Sequence, residues 1–356
     1  MVQKFMNFLL TRGFGFSRSD PSLLIFSKNQ VHIFLLIYVD DILVTGNDTD
    51  SIRSLLHDLN SHCLKQLGEI SLFLGIQVQQ TSNDYFLNQE HYPTKLIQEA
   101  GFAHCKALPT PMAPASSHQS DNTNPYHDPS LYRHLAGSLQ YLYITRLDIA
   151  FATNRACQRM HQPTIHDFEN LKRILWYIKG ILSHDLPITP GDFQLCTYTD
   201  ANWASDTSDR KSITGHCTFM GPNLISWSEK KQVTIAKSST EAEYRALSAS
   251  TSEVLWLRRL FVELNLPQNS ATNIYCDNIS TIAIAKNPVF HARTKHIKID
   301  YQFICQHIFT GNIHIQHIPS QDQIADIFTK PFSITQFTHL RSKLTIRKPN
   351  DQFEGG

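Results

Sequence analysis

The order of helix and strand patterns after residue 190 constrains the fold of this 356-residue chain more than any other feature. Three runs rich in β-branched and aromatic residues follow one another, which predicts three consecutive strands: QLCTYTD, SITGHCTFMG and NLISWSEKK. The patterns that follow are a long helix over 240–265, a strand (NIYCD), helices from 278 and around 295–309, a strand (NIHIQHIP) and a last helix around 321–329. This order predicts an α/β fold that closes with a mixed sheet.

Four acidic residues lie at the ends of these predicted elements. Asp200 ends the first strand, and Glu243 follows the start of the long helix. Asp277 ends the NIYCD strand, and Asp326 lies in the last helix. Strand ends and helix starts meet at one edge of an α/β sheet, where ligands generally bind. Four carboxylates at one edge repel one another unless divalent cations neutralise them, and two Mg²⁺ ions suit in-line phosphoryl chemistry.

Three of these residues have a structural alternative. Asp200 could cap the turn before NWAS, and Asp277 could be the N-cap of the helix that follows it. Asp326 could be a solvated acid on the surface of its helix. Only their joint placement favours a shared site.

The role of Glu243 depends on which residue caps the long helix. Thr240 and Glu243 have the spacing of a capping box, but Ser238 and Glu241 have the same spacing. Glu241 also stands four residues before Arg245, with which it can pair. If Ser238 is the N-cap, Glu241 takes the structural role and Glu243 is free for chemistry.

These segments resemble the ribonuclease H domain of Ty1/copia-type retrotransposon Pol polyproteins over roughly 190–335: TDANWASD, DRKSITGHCTFMGPNLISWSEKKQ, SSTEAEYRAL, YCDN, ARTKHIKID and QIADIFTK. The resemblance implies a ribonuclease H-like mixed five-stranded sheet flanked by helices. It also implies cleavage of the RNA strand of an RNA–DNA hybrid at a two-metal site for Mg²⁺, or Mn²⁺. The implied catalytic and metal-binding residues are Asp200, Glu243, Asp277 and Asp326.

The nucleic-acid contacts are expected in a basic stretch. Residues 286–349 hold nine Lys or Arg and three Asp, a local net charge of +6, which suits phosphates but also suits a solvated basic face. Lys295 and His296 in RTKHI are expected to contact the nucleic-acid backbone, with a helix-start role as the alternative. We expect residues 331–356 to form a loosely held basic tail.

A second acidic pair lies in IFLLIYVDDILVTG, at 33–46. The apolar runs on both sides predict two strands of a hairpin, with Asp40 and Asp41 as the tight turn. Adjacent carboxylates beside a low-dielectric core repel each other and lose hydration. The pair is therefore either a turn tip in water or a site that faces a cation.

The first half of the chain resembles the C-terminal part of the reverse transcriptase of the same family. YVDD resembles the polymerase palm hairpin, and LGEISLFLGIQV resembles the segment that holds the primer end. The thumb and connection regions are resembled by three further segments: YPTKLIQEAGF, TPMAP and YRHLAGSLQYLYITRLDIAFA. The resemblance implies Asp40 and Asp41 as catalytic metal ligands and Tyr38 as a nucleic-acid contact. Primer–template nucleic acid is the implied partner.

We therefore expect an α/β (α+β) chain in which a partial reverse-transcriptase palm, thumb and connection precede a ribonuclease H-like sheet. The expected segments are a truncated palm and thumb (1–106), a Pro-rich linker (107–129), a helical connection region (130–189), a ribonuclease H-like domain (190–330) and the basic tail (331–356).

Asp40 and Asp41 supply only part of a polymerase metal shell, because the family's third aspartate lies on a preceding palm strand. We expect a Pol fragment, most simply from a truncated open reading frame, with ribonuclease H intact and the RNA-directed DNA polymerase incomplete. The alternative is a catalytically inactive remnant that binds nucleic acid.

The cysteines and the apolar runs bear on location. The seven cysteines are odd in number and never form CxxC, which suits a reducing compartment. No signal peptide is recognised, and IFLLIYV is far shorter than the roughly 20 residues that span a bilayer. We expect an intracellular protein, in a cytoplasmic particle or the nucleus, with no membrane partner.

Overall fold

The computed structural model describes residues 2–39, 41–60, 66–114, 122–206, 208–287 and 297–349. The chain forms two compact units: a first unit of residues 1–78 with 255–269, and a second unit of residues 79–254 with 270–356. The segment boundaries expected from the sequence stay a prediction. Within the described residues, no helix is both long enough and apolar enough to cross a membrane.

The first unit is built on a four-stranded antiparallel sheet. Its strands pair in chain order: β1 (Gly15–Phe16), β2 (Leu23–Lys28), β3 (Val31–Tyr38) and β4 (Asp41–Gly46). Helices α1 (Val2–Thr11) and α2 (Thr49–Asn60) contribute to its buried core, which includes Leu9, Leu24, Leu35, Leu55 and Leu59. A short hairpin of β5 (Leu72–Phe73) and β6 (Ile76–Gln80) follows.

The first part of the second unit is mainly helical. They are α3 (His91–Glu99), α4 (Pro129–Leu142), α5 (Ala150–Cys157) and α6 (Ile165–Gly180), with β7 (Tyr85–Asn88) pairing antiparallel to β8 (Leu186–Ile188). Parts of the Pro-rich segment lie against α6: Arg173 Nη2 donates to Thr110 Oγ1 at 2.8 Å, and the Tyr126 ring stacks on Phe168 at a centroid distance of 4.1 Å.

A mixed five-stranded sheet forms the rest of the second unit. Its strands are β9 (Leu195–Asn202), β10 (Ile213–Met220), β11 (Asn223–Lys231), β12 (Thr272–Cys276) and β13 (Ile313–His317), in the spatial order β11-β10-β9-β12-β13. The first three pair antiparallel, whereas β12 runs parallel to both β9 and β13. Helices α7 (Ser239–Glu263), α8 (Ile279–Lys286) and α9 (Lys298–Phe309) connect the later strands. The predicted fold class and mixed five-stranded sheet are confirmed.

The predicted last helix over 321–329 is wrong in type. The chain forms two short 3₁₀ turns there, Ser320–Asp322 and Ile324–Phe328. Gln323 lies between the two turns with an extended backbone (φ −70°, ψ 99°), so they do not join into one α-helix. Residues 323–329 are nonetheless buried, with Phe328 fully covered.

The expectation of a loosely held tail is also wrong for residues 334–347. Helix α10 (Ile334–Lys343) buries Phe337 and Leu340, and Leu344 follows them into the same core. The spacing of these three residues is that of one apolar helix face, which packs on the second unit. Arg347 then pairs its backbone with Asp185.

Candidate active site

The fold places the four acidic residues after position 190 at neighbouring points. Asp200 lies near the end of β9, and Asp277 directly follows β12, which is the parallel neighbour of β9. Glu243 lies in the first turns of α7, and Asp326 lies in the second 3₁₀ turn. Because parallel neighbours end at the same sheet edge, their terminal side chains converge there.

The side chains of these residues form one acidic cluster. Ligand oxygens of Asp200, Asp277 and Asp326 all lie within 4.8 Å of one another. Glu243 and Asp277 form a second such group together with the thiol of Cys276. Asp277 is shared by both groups, so the structure brings all four carboxylates together.

Burial of this cluster is uneven. Asp200 is fully buried, Asp326 and Glu243 retain 5% and 6% of their exposure, and Asp277 is half-buried. The solvated role considered for Asp326 is therefore excluded. The cluster opens to solvent on the side of Asp277.

The start of α7 leaves Glu243 without a capping role. Glu241 N–H donates to Ser238 Oγ at 3.2 Å, and Glu241 Oε2 in turn accepts from the backbone of Lys237 at 2.9 Å. Arg245 Nη2 donates to Glu241 Oε1 at 2.6 Å. The capping role thus falls to Ser238 and Glu241, as one of the two sequence alternatives predicted.

Asp277 likewise is not a helix cap. The side chain of Asn278 accepts a hydrogen bond from Thr281 N–H at 2.9 Å and caps α8. Asp277 instead accepts a hydrogen bond from Ser320 Oγ at 2.7 Å. That contact orients its carboxylate toward the cluster rather than the helix.

Among the four carboxylates, Glu243 has the least favourable environment for a negative charge. Its Oε2 is buried and has no hydrogen-bond partner among the described residues. Burial, followed by the nearby charges of Asp200 and Asp277, raises the pKa of Glu243 well above its ordinary range. A cation beside this oxygen would stabilise the ionised form.

Lys330, which was not identified from the sequence, is the cationic partner of the cluster. Its Nζ lies 2.8 Å from Asp326 Oδ1 and 3.2 Å from Asp200 Oδ1, and Thr329 Oγ1 donates to Asp200 Oδ2. Burial and Asp200 raise the pKa of Asp326 to about 8, although Lys330 opposes the shift. The one available signal was its i,i+4 spacing from Asp326 in QIADIFTK.

The 3₁₀ segment is held closely against the sheet. Gln323 Nε2 donates to the carbonyl of Thr199 at 3.0 Å, and Asn202 Nδ2 donates to the carbonyl of Thr329 at 2.9 Å. At Gly215, which is paired with Asp200, an added Cβ would lie 2.8 Å from Phe328 Cβ. The absence of a side chain at Gly215 lets the segment that carries Asp326 approach β10.

The donor set of the cluster fits a hard divalent cation. Its ligands are carboxylate oxygens, which Mg²⁺ and Mn²⁺ prefer, and the unpartnered Glu243 Oε2 points to a missing positive neighbour. Burial and then Glu243 raise the pKa of Cys276, so that its thiol stays neutral and is a poor ligand for such an ion.

The YVDD hairpin differs by one residue from the prediction. Tyr38 pairs with Asp41, so Asp41 begins β4 instead of lying in the turn. Tyr38 and Asp41 are both exposed, and Val39 has a φ of 50°, which β-branched residues rarely adopt. Three other predicted site residues, Asp40, Lys295 and His296, lie outside the described residues.

The sheet order and the carboxylate cluster at its edge define the second unit as a ribonuclease H-like α/β fold. The family described as reverse transcriptase (RNA-dependent DNA polymerase) matches residues 2–114. The chain belongs to the Pol polyprotein family of Ty1/copia-type retrotransposons.

Two relatives from Arabidopsis thaliana illustrate this membership. The retrovirus-related Pol polyprotein from transposon RE1 is 40% identical over 344 residues, which cover 96% of this chain and 24% of that protein. An uncharacterized mitochondrial protein is 45% identical over 226 residues, which cover 63% of this chain and 94% of that protein. The chain thus spans about a quarter of the length of the Pol polyprotein it matches.

Two solved structures are similar to the chain at low sequence identity. LC11-RNase H1, isolated from compost, is 16% identical with a TM-score of 0.31, and the match covers 38% of this chain and 93% of that one. A foamy viral protease-reverse transcriptase in complex with RNA/DNA hybrid is 12% identical with a TM-score of 0.46, and the match covers 80% of this chain and 36% of that one.

Proposed function

We propose that the second unit hydrolyses the RNA strand of RNA–DNA hybrids with the help of divalent cations, with Mg²⁺ as the first choice and Mn²⁺ as a substitute. The proposed catalytic and metal-binding residues are Asp200, Glu243, Asp277 and Asp326. The observation that carries the proposal is the buried, unpartnered oxygen of Glu243, which lies in a cluster with three further carboxylates. Membership of a retrotransposon Pol family supports the choice of substrate.

The chain's own residues fix the geometry of this chemistry. Divalent cations held by these carboxylates would supply Lewis acidity that favours a water nucleophile and stabilises the leaving oxygen. Asp200 is held on the central strand with both carboxylate oxygens hydrogen-bonded, which prevents it from rotating. Ser320 orients Asp277 at the open side of the cluster, where a phosphodiester can approach.

Substrate selection follows from the shape of the nucleic acid in this proposal. A hybrid duplex presents 2′-hydroxyls on only one strand, and proteins recognise such hydroxyls across a wide minor groove without reading sequence. Lys295 and His296 are the proposed backbone contacts. The proposal includes an intracellular location and no membrane partner.

For the first unit, we propose polymerase roles for three residues. Asp40 and Asp41 are proposed metal ligands, and the exposed Tyr38 is a proposed contact to primer–template. For the polypeptide of residues 1–356 taken by itself, we propose no primer extension, because these two aspartates are only part of the carboxylate set that the resemblance implies.

A cleavage assay with matched duplexes tests the proposal. The purified chain is incubated with Mg²⁺ and an RNA strand paired either to DNA or to RNA, and we expect cleavage of the hybrid alone. Asp200→Asn should abolish cleavage, whereas Asp209→Asn, which removes a carboxylate that pairs with Lys231, should not. A folded chain that binds the hybrid without cutting it would favour the alternative of an inactive nucleic-acid-binding remnant.

A further inference from the structure

Gln323 is fully buried, and its side-chain amide contacts both parallel strands that end at the acidic cluster. Its Nε2 donates to the carbonyl of Thr199 at 3.0 Å and to the carbonyl of Tyr275 at 3.4 Å. Thr199 directly precedes Asp200 on β9. Tyr275, on β12, lies two residues before Asp277. One amide group therefore joins the backbones that carry two of the four carboxylates.

These two hydrogen bonds lie where the strand pairing stops. The last pair that the described residues form between β9 and β12 is Tyr198 with Tyr275. Just beyond it the strands carry Asp200 and Asp277, whose charges repel each other and favour separation of the strand ends. The hydrogen bonds from Gln323 oppose that separation, and the low dielectric of the interior strengthens them.

The oxygen of the same amide holds the segment that carries Asp326. Gln323 is the N-cap of the second 3₁₀ turn, Ile324–Phe328, and its Oε1 accepts a hydrogen bond from Ala325 N–H at 3.2 Å. Ala325 directly precedes Asp326, so this bond fixes the start of the turn from which the third carboxylate projects. A rotation of the Gln323 side chain would release the turn and both strands together.

This arrangement requires a carboxamide. The side chain must offer two N–H donors to the strands and a separate acceptor to the turn. Only the side chains of Asn and Gln combine these in one planar group, and Gln reaches one methylene further. An apolar residue of the same size would remove a partner from three backbone groups.

We propose that Gln323 is a positioning residue of the acidic cluster, which sets the spacing of Asp200, Asp277 and Asp326 without itself binding cation or substrate. This role rests on the proposed function, because the spacing matters only if the carboxylates act together. Loss of Gln323 should then weaken the binding of divalent cations and slow cleavage, whereas recognition of the hybrid should not change.

Gln323→Met and a matched control, both made in the full chain, test this role. Met keeps the unbranched shape of Gln and removes its donors and its acceptor. The control is Asn223→Leu, because Asn223 is also buried and makes two hydrogen bonds with the backbone of Thr189, at 2.7 and 2.8 Å. Asn223 lies at the other end of the sheet, since it is paired through Met220 with Leu195, the first residue of β9.

Mn²⁺ affinity is measured by isothermal titration calorimetry, and hybrid cleavage by steady-state kinetics, at a temperature at which all variants are folded. We expect Gln323→Met to lower Mn²⁺ affinity and kcat, each by about 10–100-fold, and to leave KM for the hybrid unchanged. Asn223→Leu should keep the affinity and kcat of wild type, although both variants should melt at a lower temperature than wild type.

Hydrogen–deuterium exchange in EDTA supplies a measurement that needs neither metal nor activity. Peptides that span 196–202 and 272–277 should exchange faster in Gln323→Met than in wild type, and Asn223→Leu should leave them unchanged. If Gln323→Met does not fold, Gln323→Asn replaces it with the same expected losses, because its amide is one methylene shorter and cannot reach both carbonyls.

The outcomes separate the two proposals. If folded Gln323→Met has the Mn²⁺ affinity, kcat and exchange of wild type, the positioning role is overturned and the proposed function stands. Equal losses in Gln323→Met and Asn223→Leu would overturn the role as well, because a general loss of stability then explains both. If wild type cuts no hybrid, the proposed function fails, and Mn²⁺ affinity and exchange decide the role of Gln323. If wild type also binds no Mn²⁺, both proposals fail.

Discussion

Replacement of Glu243 by Gln separates a functional carboxylate from a structural one. Gln keeps the size of the side chain but cannot ionise, so in the metal-free protein it avoids the cost that burial, Asp200 and Asp277 impose on an ionised Glu243. Glu243 is 6% exposed and has one oxygen without a hydrogen-bond partner among the described residues. We therefore expect Glu243→Gln to be more stable than wild type in EDTA.

The size of this gain follows from the burial of the group. A buried polar group without a partner costs about 1–3 kcal/mol, and a charged one costs more. A gain of about 2 kcal/mol in the free energy of unfolding corresponds to about 4–8 °C, at about 2–4 °C per kcal/mol for a unit of this size. Divalent cations should reverse the order, because a cation at 100 times its Kd stabilises wild type by about 2.7 kcal/mol.

The assay is thermal unfolding at pH 8 in EDTA and in Mn²⁺, combined with hybrid cleavage. Glu241→Gln, two residues earlier on the same helix, is the control: it keeps an acceptor for the cap, loses the ion pair with Arg245 and should cost about 0.3–0.5 kcal/mol with or without metal. Cleavage should fall at least about 100-fold in Glu243→Gln alone. A Glu243→Gln protein that is destabilised in EDTA and cuts the hybrid normally would refute the reasoning.

Two further changes test the packing around the site. Gly215→Ala places a Cβ 2.8 Å from Phe328 Cβ and Thr329 Cγ2. We expect the free energy of unfolding in urea to fall by about 1–3 kcal/mol and cleavage to weaken. An unchanged urea midpoint would contradict this contact. Glu229 is half-buried, and burial raises its pKa to about 8 despite a hydrogen bond from Asn154. The protonated side chain therefore stabilises the folded protein fully below pH 4.5, and this contribution is lost as the pH rises to about 8. Glu229→Gln should therefore match wild type near pH 4.5 and exceed it by about 1–2 kcal/mol at pH 9, after allowance for partial solvent screening; equal unfolding curves at pH 9 would argue against the shift.

The element order and the acidic cluster of the second unit follow from local patterns. Strand and helix ends are set by periodicity and turn residues, and the α/β order then brings Asp200 and Asp277 to the same sheet edge. The choice between Ser238 and Thr240 as the cap was open in the sequence. The contacts of Glu241 with Lys237 and Arg245 resolve it in favour of Ser238.

Features that depend on distant parts of the chain could not be predicted in this way. The position of Lys330 between Asp200 and Asp326 depends on how the 3₁₀ segment packs on β10, and Gly215 permits that packing. The burial of α10 depends on a core formed by residues far earlier in the chain. The one-residue difference at Asp41 concerns the start of a strand, and the ends of elements are what local sequence specifies least.

Hydrolysis of RNA by the acidic cluster, with water as the nucleophile, is the proposed chemistry. Its most direct test is the end chemistry of an RNA strand cut from an RNA–DNA hybrid by the purified chain in Mg²⁺, in EDTA, and after Asp200→Asn. We predict hydroxyl and phosphate monoester ends, without 2′,3′-cyclic phosphate, in Mg²⁺ only and for wild type only. Cyclic phosphate ends, cleavage that persists in EDTA or in Asp200→Asn, or an intact hybrid after incubation with folded protein would contradict the claim.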